Sequence, residues 1–367
     1  MRWVGGPGSR RWLASSVARA QVFAGPGTPF DYRRVRLPDL GAGECLVQVT
    51  MATICGSDLH TITGARKEPF PLILGHEGVG VVVESRRDDC AVGQRVTWSV
   101  ADSCGHCQPC TDYDLPQKCE SLFKYGHTTF AQGHGLHGTY SSHVVIRRGT
   151  HIVPVPSRIS DAVVSPANCA LATVVNCLEE GPLLPRHRHT AIVQGAGLLG
   201  IYACAWLRHE LGFSNVICVD RNPPRLELAS ECGAITVDAS AHQADLIRDL
   251  APSGADLVVE LTGDSSLVKQ GISLLRYGGS YVWCGMVHPG TPLTGVTGDD
   301  VVRKSIIIQG KHNYAPRHLT QAVRFLDRHL DALPFHKLVS PALPLDDLQS
   351  AIDLAMVSTW PRIALQP

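Results

Sequence analysis

Between about residues 17 and 166 the apolar positions fall in short, Val-rich runs, such as 44–49, 79–84 and 140–146, separated by Gly, Pro and Asp clusters. Runs of that length with turn residues between them predict a mostly antiparallel β domain. From about residue 171 the pattern changes. Strand-like apolar runs at 190–194, 215–219, 256–261, 280–284 and 305–309 alternate with stretches of helical period. Such βαβ alternation predicts a parallel, doubly wound sheet, because a parallel pair needs a crossover and the helix supplies it. The closing segment returns to a mixed pattern, with helices expected over 318–330 and near 345–356.

Composition narrows the partners. The 367 residues are enough chain for two domains, each with its own core. Lys plus Arg equal Asp plus Glu, 33 against 33, so no basic footprint for nucleic acid or anionic lipid is expected, and the partner is expected to be a small molecule. No apolar run reaches the ~18 residues of a membrane span. Residues 1–16 are Gly- and Arg-rich without the apolar stretch of a signal peptide, and read as a disordered tail. Thirteen cysteines, an odd count, suit a reducing cytoplasm better than a disulfide framework.

The doubly wound half carries Gly195, Ala196, Gly197, Leu198, Leu199 and Gly200 directly after the run TAIVQ and opening the apolar stretch IYACAWLRHE. The first Gly permits a tight turn, the second lets a pyrophosphate approach the backbone, and the third lets helix pack on strand. Asp220 closes the next run, NVICVD, where a carboxylate accepts hydrogen bonds from ribose hydroxyls and repels a 2′-phosphate. That favours NAD, although Arg221 and Arg225 could pair with a 2′-phosphate if Asp220 turned away.

Two cysteine groups then separate. Cys104, Cys107, Cys110 and Cys119 lie in CGHCQPCTDYDLPQKC, a spacing that suits a closed structural zinc site of four thiolates. An iron–sulfur cluster and a disulfide knot are the alternatives. Upstream, CGSDLH brings Cys55, Ser57, Asp58 and His60, and GHE brings His76 and Glu77. Cys55, His76 and a later residue would give three protein ligands to a zinc that keeps one position open, as catalysis requires. Taken singly, Cys55 could be a buried small hydrophobe and His76 a core histidine.

With CGSDLH, GHEGVGVVVE, CGHCQPC with LPQKC, the glycine motif, GGSYVWCGM and IIIQG together, the chain resembles the zinc-containing medium-chain alcohol dehydrogenases from about Ala18 onwards. The resemblance implies an α/β architecture: a GroES-like β domain with the structural zinc lobe, residues 17–171 and 312–367, joined to a Rossmann NAD-binding domain, residues 172–311. It implies two zinc ions per chain and a homodimer or homotetramer. By the same resemblance Cys55 and His76 are ligands of the catalytic zinc and Cys169, in PANCALAT, is the third, with Thr173 facing the nicotinamide; relatives with a carboxylate ligand nearby leave Asn168 in view.

Hydride transfer between an alcohol and NAD would follow, with Ser57 taking the alcohol proton, His60 handing it to solvent and Asp58 fixing the His76 tautomer. Glu77 would either approach the ion during ligand exchange or only pack. By the same resemblance Val100, four residues before Cys104, is expected to line the substrate pocket. The segments SLFKYGH, PANCALAT and KHNY resemble a branch that includes phosphonate-catabolism-associated and terpenoid-alcohol dehydrogenases, where Lys124 and His127 would offer positive charge to a phosphonate. A zinc-free quinone or enoyl reductase of the same superfamily and a non-catalytic zinc- and NAD-binding sensor are the rival readings. Two departures stand out: eight residues separate Cys110 from Cys119 where seven is commoner, and Arg86 occupies a turn usually given to a small residue.

Overall fold

A computed structural model describes residues 16–367 except 180, 182–183, 240–242, 286–290 and 294. Of the expected tail, only Ser16 lies among the described residues, and Met286 of the GGSYVWCGM segment lies outside them. The N-terminal strands are β1 (Val17–Phe23), β2 (Asp31–Arg36), β3 (Cys45–Ile54), β4 (Leu72–Ile73), β5 (Glu77–Ser85), β6 (Arg95–Trp98), β7 (Ala101–Asp102), β8 (Phe123–Lys124), β9 (His143–Ile146) and β10 (Ile152–Pro154). Next come β11 (Thr190–Gln194), β12 (Asn215–Asp220), β13 (Ile235–Asp238), β14 (Ala255–Glu260), β15 (Leu275–Trp283) and β16 (Ile307–Gly310), then β17 (Val339–Pro344) and β18 (Arg362–Gln366).

β11 to β16 form one parallel sheet in the order β13-β12-β11-β14-β15-β16. β11 and β14 are buried along their whole length. Their near-continuous apolar sequence follows from a sheet covered by helices on both faces. Chain order reverses between β11 and β14, and a doubly wound sheet opens its ligand crevice at that switch. The antiparallel half is a seven-stranded sheet, β10-β6-β5-β3-β18-β17, with β9 also pairing β3. β18, the last strand, lies antiparallel to β3 with Ile363 opposite Ile54, so the C-terminal segment completes the first half.

The expected strand 140–146 is ordered as a strand only from His143. Tyr140 bonds instead to Gln21 and Leu74, and the Ser142 amide donates to Arg19 while its carbonyl accepts from Val49 of β3, so this stretch serves other neighbours as it reaches β3. The expected strand at 280 begins earlier, at Leu275, with a register shift against β14. The expected helix 345–356 is a 3-10 turn, Leu345–Asp347, followed by the helix Leu348–Val357.

One continuous apolar core joins both halves, running from Val79, Val100 and Val163 through the helix Ala170–Cys177 to Val193 and Val259. That helix crosses the 171/172 boundary expected from sequence and packs against the helices Leu198–His209 and Pro316–His329. No helix among the described residues is long and apolar enough to cross a membrane.

Candidate active site

The four-cysteine lobe folds on itself locally. The helical turn Gln108–Thr111 carries a Pro in its first turn, Gly105 adopts φ +75°, and the 3-10 turn Pro116–Lys118 leads into Cys119. The four sulfur atoms lie within 4.8 Å of one another, with Cys107 Sγ 3.4 Å from Cys110 and 3.8 Å from Cys119. Sulfurs around a tetrahedral zinc with ~2.3 Å bonds sit about 3.8 Å apart, so the donors fit that ion. Backbone amides already face the sulfurs: His106 and Cys107 donate to Cys104 Sγ, and Cys104 and Ser121 to Cys119 Sγ. Hydrogen bonds to a thiolate favour it; donation led by the His106 amide holds the Cys104 thiol down at about 6.

The second set is assembled from three segments. Cys55 caps the helix Gly56–Ile62, His76 follows Gly75 at the entrance to β5, and Cys169 sits between the 3-10 turn Ser165–Asn168 and the helix Ala170–Cys177. Ligand atoms of Cys55, His76, Glu77 and Cys169 lie within 4.8 Å of one another, and this set is more buried than the lobe. Asp58 stands behind His76 with Oδ1 3.2 Å from Nδ1, while its carboxylate also accepts from the Cys55 amide, the Gly75 amide and the Tyr140 hydroxyl. Nε2 of His76 is thereby left toward Ser57, whose Oγ is 3.4 Å away. This is the geometry in which a carboxylate orients a ligating histidine.

The hydrogen bond with Cys169 holds the Cys55 thiol well below its ordinary value and pushes the Cys169 thiol well above it. Burial works against a charged His76, but Asp58 outweighs it and lifts the imidazole to about 10. Glu77 is pushed up to about 7 by burial, opposed by Arg362. Arg362 grips Glu77 through Nε at 2.9 Å and Nη2 at 3.0 Å, Thr53 donates to Glu77 at 2.6 Å, and Arg362 Nη2 also reaches Cys55 Sγ at 3.4 Å. Glu77 therefore already holds a buried guanidinium beside the ligand set.

Cys55, His76 and Cys169 open onto a cavity of about 390 Å³. Ser57, the exposed His60, Val100, Lys124, His127 and Thr173 line it on one side, and Gly197, Leu198 and Leu199 on the other. Asn168 does not face it as a ligand: its amide nitrogen donates to the carbonyls of His76 and Trp98. A second cavity of about 490 Å³ continues along the parallel sheet past Gly195, Gly197, Asp220, Arg221 and Arg225. Gly195 has φ +104°, and a Cβ on Gly200 would collide with the Gly195 carbonyl. Both glycines are thus required by the backbone itself. Asp220 is held by the Ala196 amide at 2.6 Å and the Asn222 amide at 2.9 Å, one to each oxygen.

Comparison with known proteins matches this geometry. Residues 41–157 match the alcohol dehydrogenase GroES-like domain and residues 199–328 the zinc-binding dehydrogenase domain. The solved alcohol dehydrogenase of Thermotoga maritima is 31% identical, superposes with a TM-score of 0.89, and the match covers 96% of this chain and 99% of that one. The chain belongs to the zinc-dependent medium-chain alcohol dehydrogenase family. Among curated relatives of this dehydrogenase, 5-exo-hydroxycamphor dehydrogenase of Pseudomonas putida is 28% identical over 86% of this chain and 90% of its own length. L-threonine 3-dehydrogenase of Xanthomonas axonopodis pv. citri is 27% identical over 88% and 91%. The chain is accordingly an oxidoreductase of this family, with the GroES-like and Rossmann halves expected from its motifs.

The structure of the dehydrogenase adds residues that sequence reasoning missed. Arg362 is one; a lone Arg opening the apolar strand RIALQ was the available signal. Tyr140, which donates to Asp58, and Tyr314 are others. The Tyr314 hydroxyl donates to the Asn168 carbonyl and accepts from the Val100 amide, tying two walls of the cavity together. Lys124 is in β8, and His127 is buried with its ring 5.1 Å from that of His76; burial, with His76 and Lys124 beside it, holds the His127 imidazole well below its ordinary value, so it does not offer the positive charge expected of it. Arg86 fits its turn by exchanging backbone hydrogen bonds with Gly43 and Glu44.

Proposed function

We propose that this chain is an NAD-dependent alcohol dehydrogenase holding two zinc ions, acting on a primary or secondary alcohol or the corresponding aldehyde or ketone. The observation that carries this reading is that Cys55, His76 and Cys169, a donor set suited to an open-sided zinc, share one cavity wall-to-wall with Gly197 to Leu199 and Thr173. Cys55, His76 and Cys169 would hold an ion that would supply Lewis acidity to the substrate oxygen, and Gly197 to Leu199 would hold NAD, which would supply the hydride acceptor. The rest falls to the chain. Ser57 Oγ, beside His76, takes the substrate hydroxyl's proton, and His60 at the exposed end of the cavity returns it to solvent. Asp58 keeps His76 presenting Nε2, and the Glu77–Arg362 pair holds a cation against Cys55.

NAD is favoured over NADP because both Asp220 oxygens are pinned by backbone amides, so the carboxylate stays at the nucleotide cavity and does not yield to Arg221 or Arg225. Val100 leaves room that an aromatic side chain would fill, which suits a bulky or cyclic secondary alcohol such as the substrate named for the Pseudomonas putida relative. Residues 17–171 with 312–367 form the catalytic unit, and 172–311 the nucleotide unit. β16, at the edge of its sheet among the described residues, exposes Ile307 and Ile308, which supports a homodimer or homotetramer. The balanced charge and free cysteines support a cytoplasmic enzyme without nucleic-acid or membrane partners.

Elemental analysis with an alcohol and carbonyl screen followed through NADH absorbance tests the proposal. Two zinc ions per chain and alcohol turnover are expected. One zinc without turnover supports a sensor, and turnover of quinones or enoyl compounds without zinc supports the zinc-free reductase.

A further inference from the structure

Glu260 is a fully buried carboxylate that belongs to neither ligand set. It ends β14, which lies between β15 and β11, the strand that delivers the glycine motif. Oε1 accepts from the Thr262 amide at 2.6 Å, the Thr262 hydroxyl at 2.6 Å and the Gly263 amide at 2.7 Å, and Oε2 accepts from the Gly285 amide at 3.2 Å. All four partners are donors, which suits an ionised carboxylate.

The residues it holds form one wall of the cleft. Leu261, Thr262, Gly263, Cys284 and Gly285 line the 390 Å³ cavity together with Gly197 to Leu199, and Leu261, Thr262 and Gly197 also line the nucleotide cavity. Glu260 therefore stands behind the neck that a dinucleotide spanning both cavities would cross. Packing there is close. Gly263 has φ +78°, and a Cβ on Gly285 would lie 2.5 Å from the Gly263 nitrogen and 2.8 Å from Glu260 Oε2. On the other side, a Cβ on Gly195 would lie 2.9 Å from Thr262 Cγ2, so the clipped loop also rests on the glycine motif.

Buried charges are usually matched by an opposite charge. Glu77 faces Arg362, and Asp256 faces Arg276. Glu260 has three amides and a hydroxyl, and among the described residues it takes part in no ion pair. Its donors ease the burial without cancelling the charge. The cavity's own charged lining has the other sign: Arg66, Lys124 and Arg362 reach it from the antiparallel half, and among the described residues no Asp or Glu lines it. A cationic ring is thereby favoured on the sheet side. Nicotinamide is such a ring in NAD⁺ and loses its charge when it gains a hydride, so an anion behind this wall acts on one redox form and not on the other.

We infer that Glu260 is a positioning residue of the hydride transfer, which shapes the nicotinamide wall through Thr262, Gly263 and Gly285 and whose buried charge favours NAD⁺ over NADH. This rests on the dehydrogenase reading. Relative to a chain without that charge, the bound cofactor couple is held toward its oxidised form.

The test measures both cofactors on the zinc-loaded, full-length protein, NADH by fluorescence and NAD⁺ by calorimetry. Glu260→Gln keeps the shape and an oxygen for Thr262 and Gly263, and the Gly285 amide keeps the position-260 carbonyl, 3.1 Å away, as its acceptor. A unit charge acting across about 10 Å at an effective dielectric of about 20 changes an equilibrium roughly tenfold, so Kd for NAD⁺ should rise about tenfold more than Kd for NADH. Thr262→Val removes one donor and leaves the charge. It should weaken both cofactors alike and keep their ratio. Where Glu260→Gln fails to melt cooperatively with two zinc ions per chain, Glu260→Asp and Glu260→Asn, shortened alike and differing in charge, read the same ratio. Glu260→Asn should then show the greater loss of NAD⁺ relative to NADH.

Equal loss of the two cofactors in Glu260→Gln, or one ratio for Glu260→Asp and Glu260→Asn, means that the carboxylate braces the loops without acting on the ring. Either result overturns the inference and leaves the dehydrogenase standing, as does cofactor binding that no Glu260 variant alters. A parent chain that binds neither NAD⁺ nor NADH overturns the dehydrogenase reading, and this inference with it.

Discussion

The two cysteine sites use the same donor atom under opposite conditions. In the lobe, Cys104 and Cys119 are 15 positions apart and Cys104, Cys107 and Cys110 sit half-exposed on turns with Cys119 buried, and backbone amides donate to the sulfurs of Cys104 and Cys119. In the cleft, Cys55 and His76 are buried with Cys169 half-buried, and the charged groups that surround them come from across the chain, with Arg362 307 positions from Cys55. A local loop can close four sulfurs around an ion and leave nothing open. Only the meeting of distant segments leaves one side of an ion facing a cavity that also holds a nucleotide motif. On the proposed reading the lobe serves stability and the cleft serves chemistry, and substitutions in each should separate the two.

The largest difference is expected from Cys55→Ala. It removes one ligand from the cleft set and leaves the lobe and the glycine motif intact. Zinc content should fall from two to one per chain, alcohol oxidation should drop below detection, and NADH binding followed by fluorescence should persist. Turnover retained at the parent rate would sink the assignment of the cleft. The matching change in the lobe, Cys107→Ala, should also remove one zinc, but the loss should appear as stability. Metal binding by small closed sites is coupled to their folding, and units of this size shift Tm by roughly 2–4 °C per kcal/mol. A lowered Tm and new proteolytic cleavage near the exposed Tyr113 are expected, with kcat of the intact fraction retained. Loss of kcat without loss of Tm would mean that the lobe shapes the cleft directly.

This contrast also explains what the sequence could and could not show. Cys104, Cys107, Cys110 and Cys119 were legible because ligand spacing within one loop is itself the geometry. The parallel sheet was legible because β11 and β14 are buried on both faces and read as unbroken apolar runs. The cleft ligands could be named only through the resemblance, since nothing local ties Cys55 to Cys169. Its surroundings were not legible at all: Glu77 meets Arg362 across 285 positions and Asp58 meets Tyr140 across 82. Lys124 was placed in the pocket by resemblance, and its position on β8 in the cavity wall follows only from the fold.

A smaller separation is expected from Asp58→Asn. The amide cannot supply the carboxylate that faces His76 Nδ1, and changes behind a ligating histidine typically cost about 10–100-fold in metal affinity or activity. Chelator competition should show the cleft ion released more readily while the lobe ion is unaffected. Equal loosening of both ions would mean that Asp58 acts on the fold at large, through the amides of Cys55 and Gly75 to which it also bonds.

The finest comparison uses two glycines that share a backbone conformation and differ in surroundings. Gly75, next to His76, has φ +85°, and Gly105, between Cys104 and His106, has φ +75°. The left-handed conformation alone penalises an Ala by about 1–2 kcal/mol. At Gly105 nothing lies within 4 Å of an added Cβ, whereas at Gly75 it would lie 2.5 Å from both Thr139 Oγ1 and a Tyr140 ring carbon. Gly105→Ala should therefore lower stability by only that backbone cost and leave zinc content at two per chain. Gly75→Ala must also displace Tyr140, which donates to Asp58, so it should lose cleft zinc and activity in addition to stability. Thermal melts with zinc counts on both variants decide it: if Gly105→Ala proves the more damaging, the lobe is packed against something that its open surroundings do not reveal, and its role as a local staple fails.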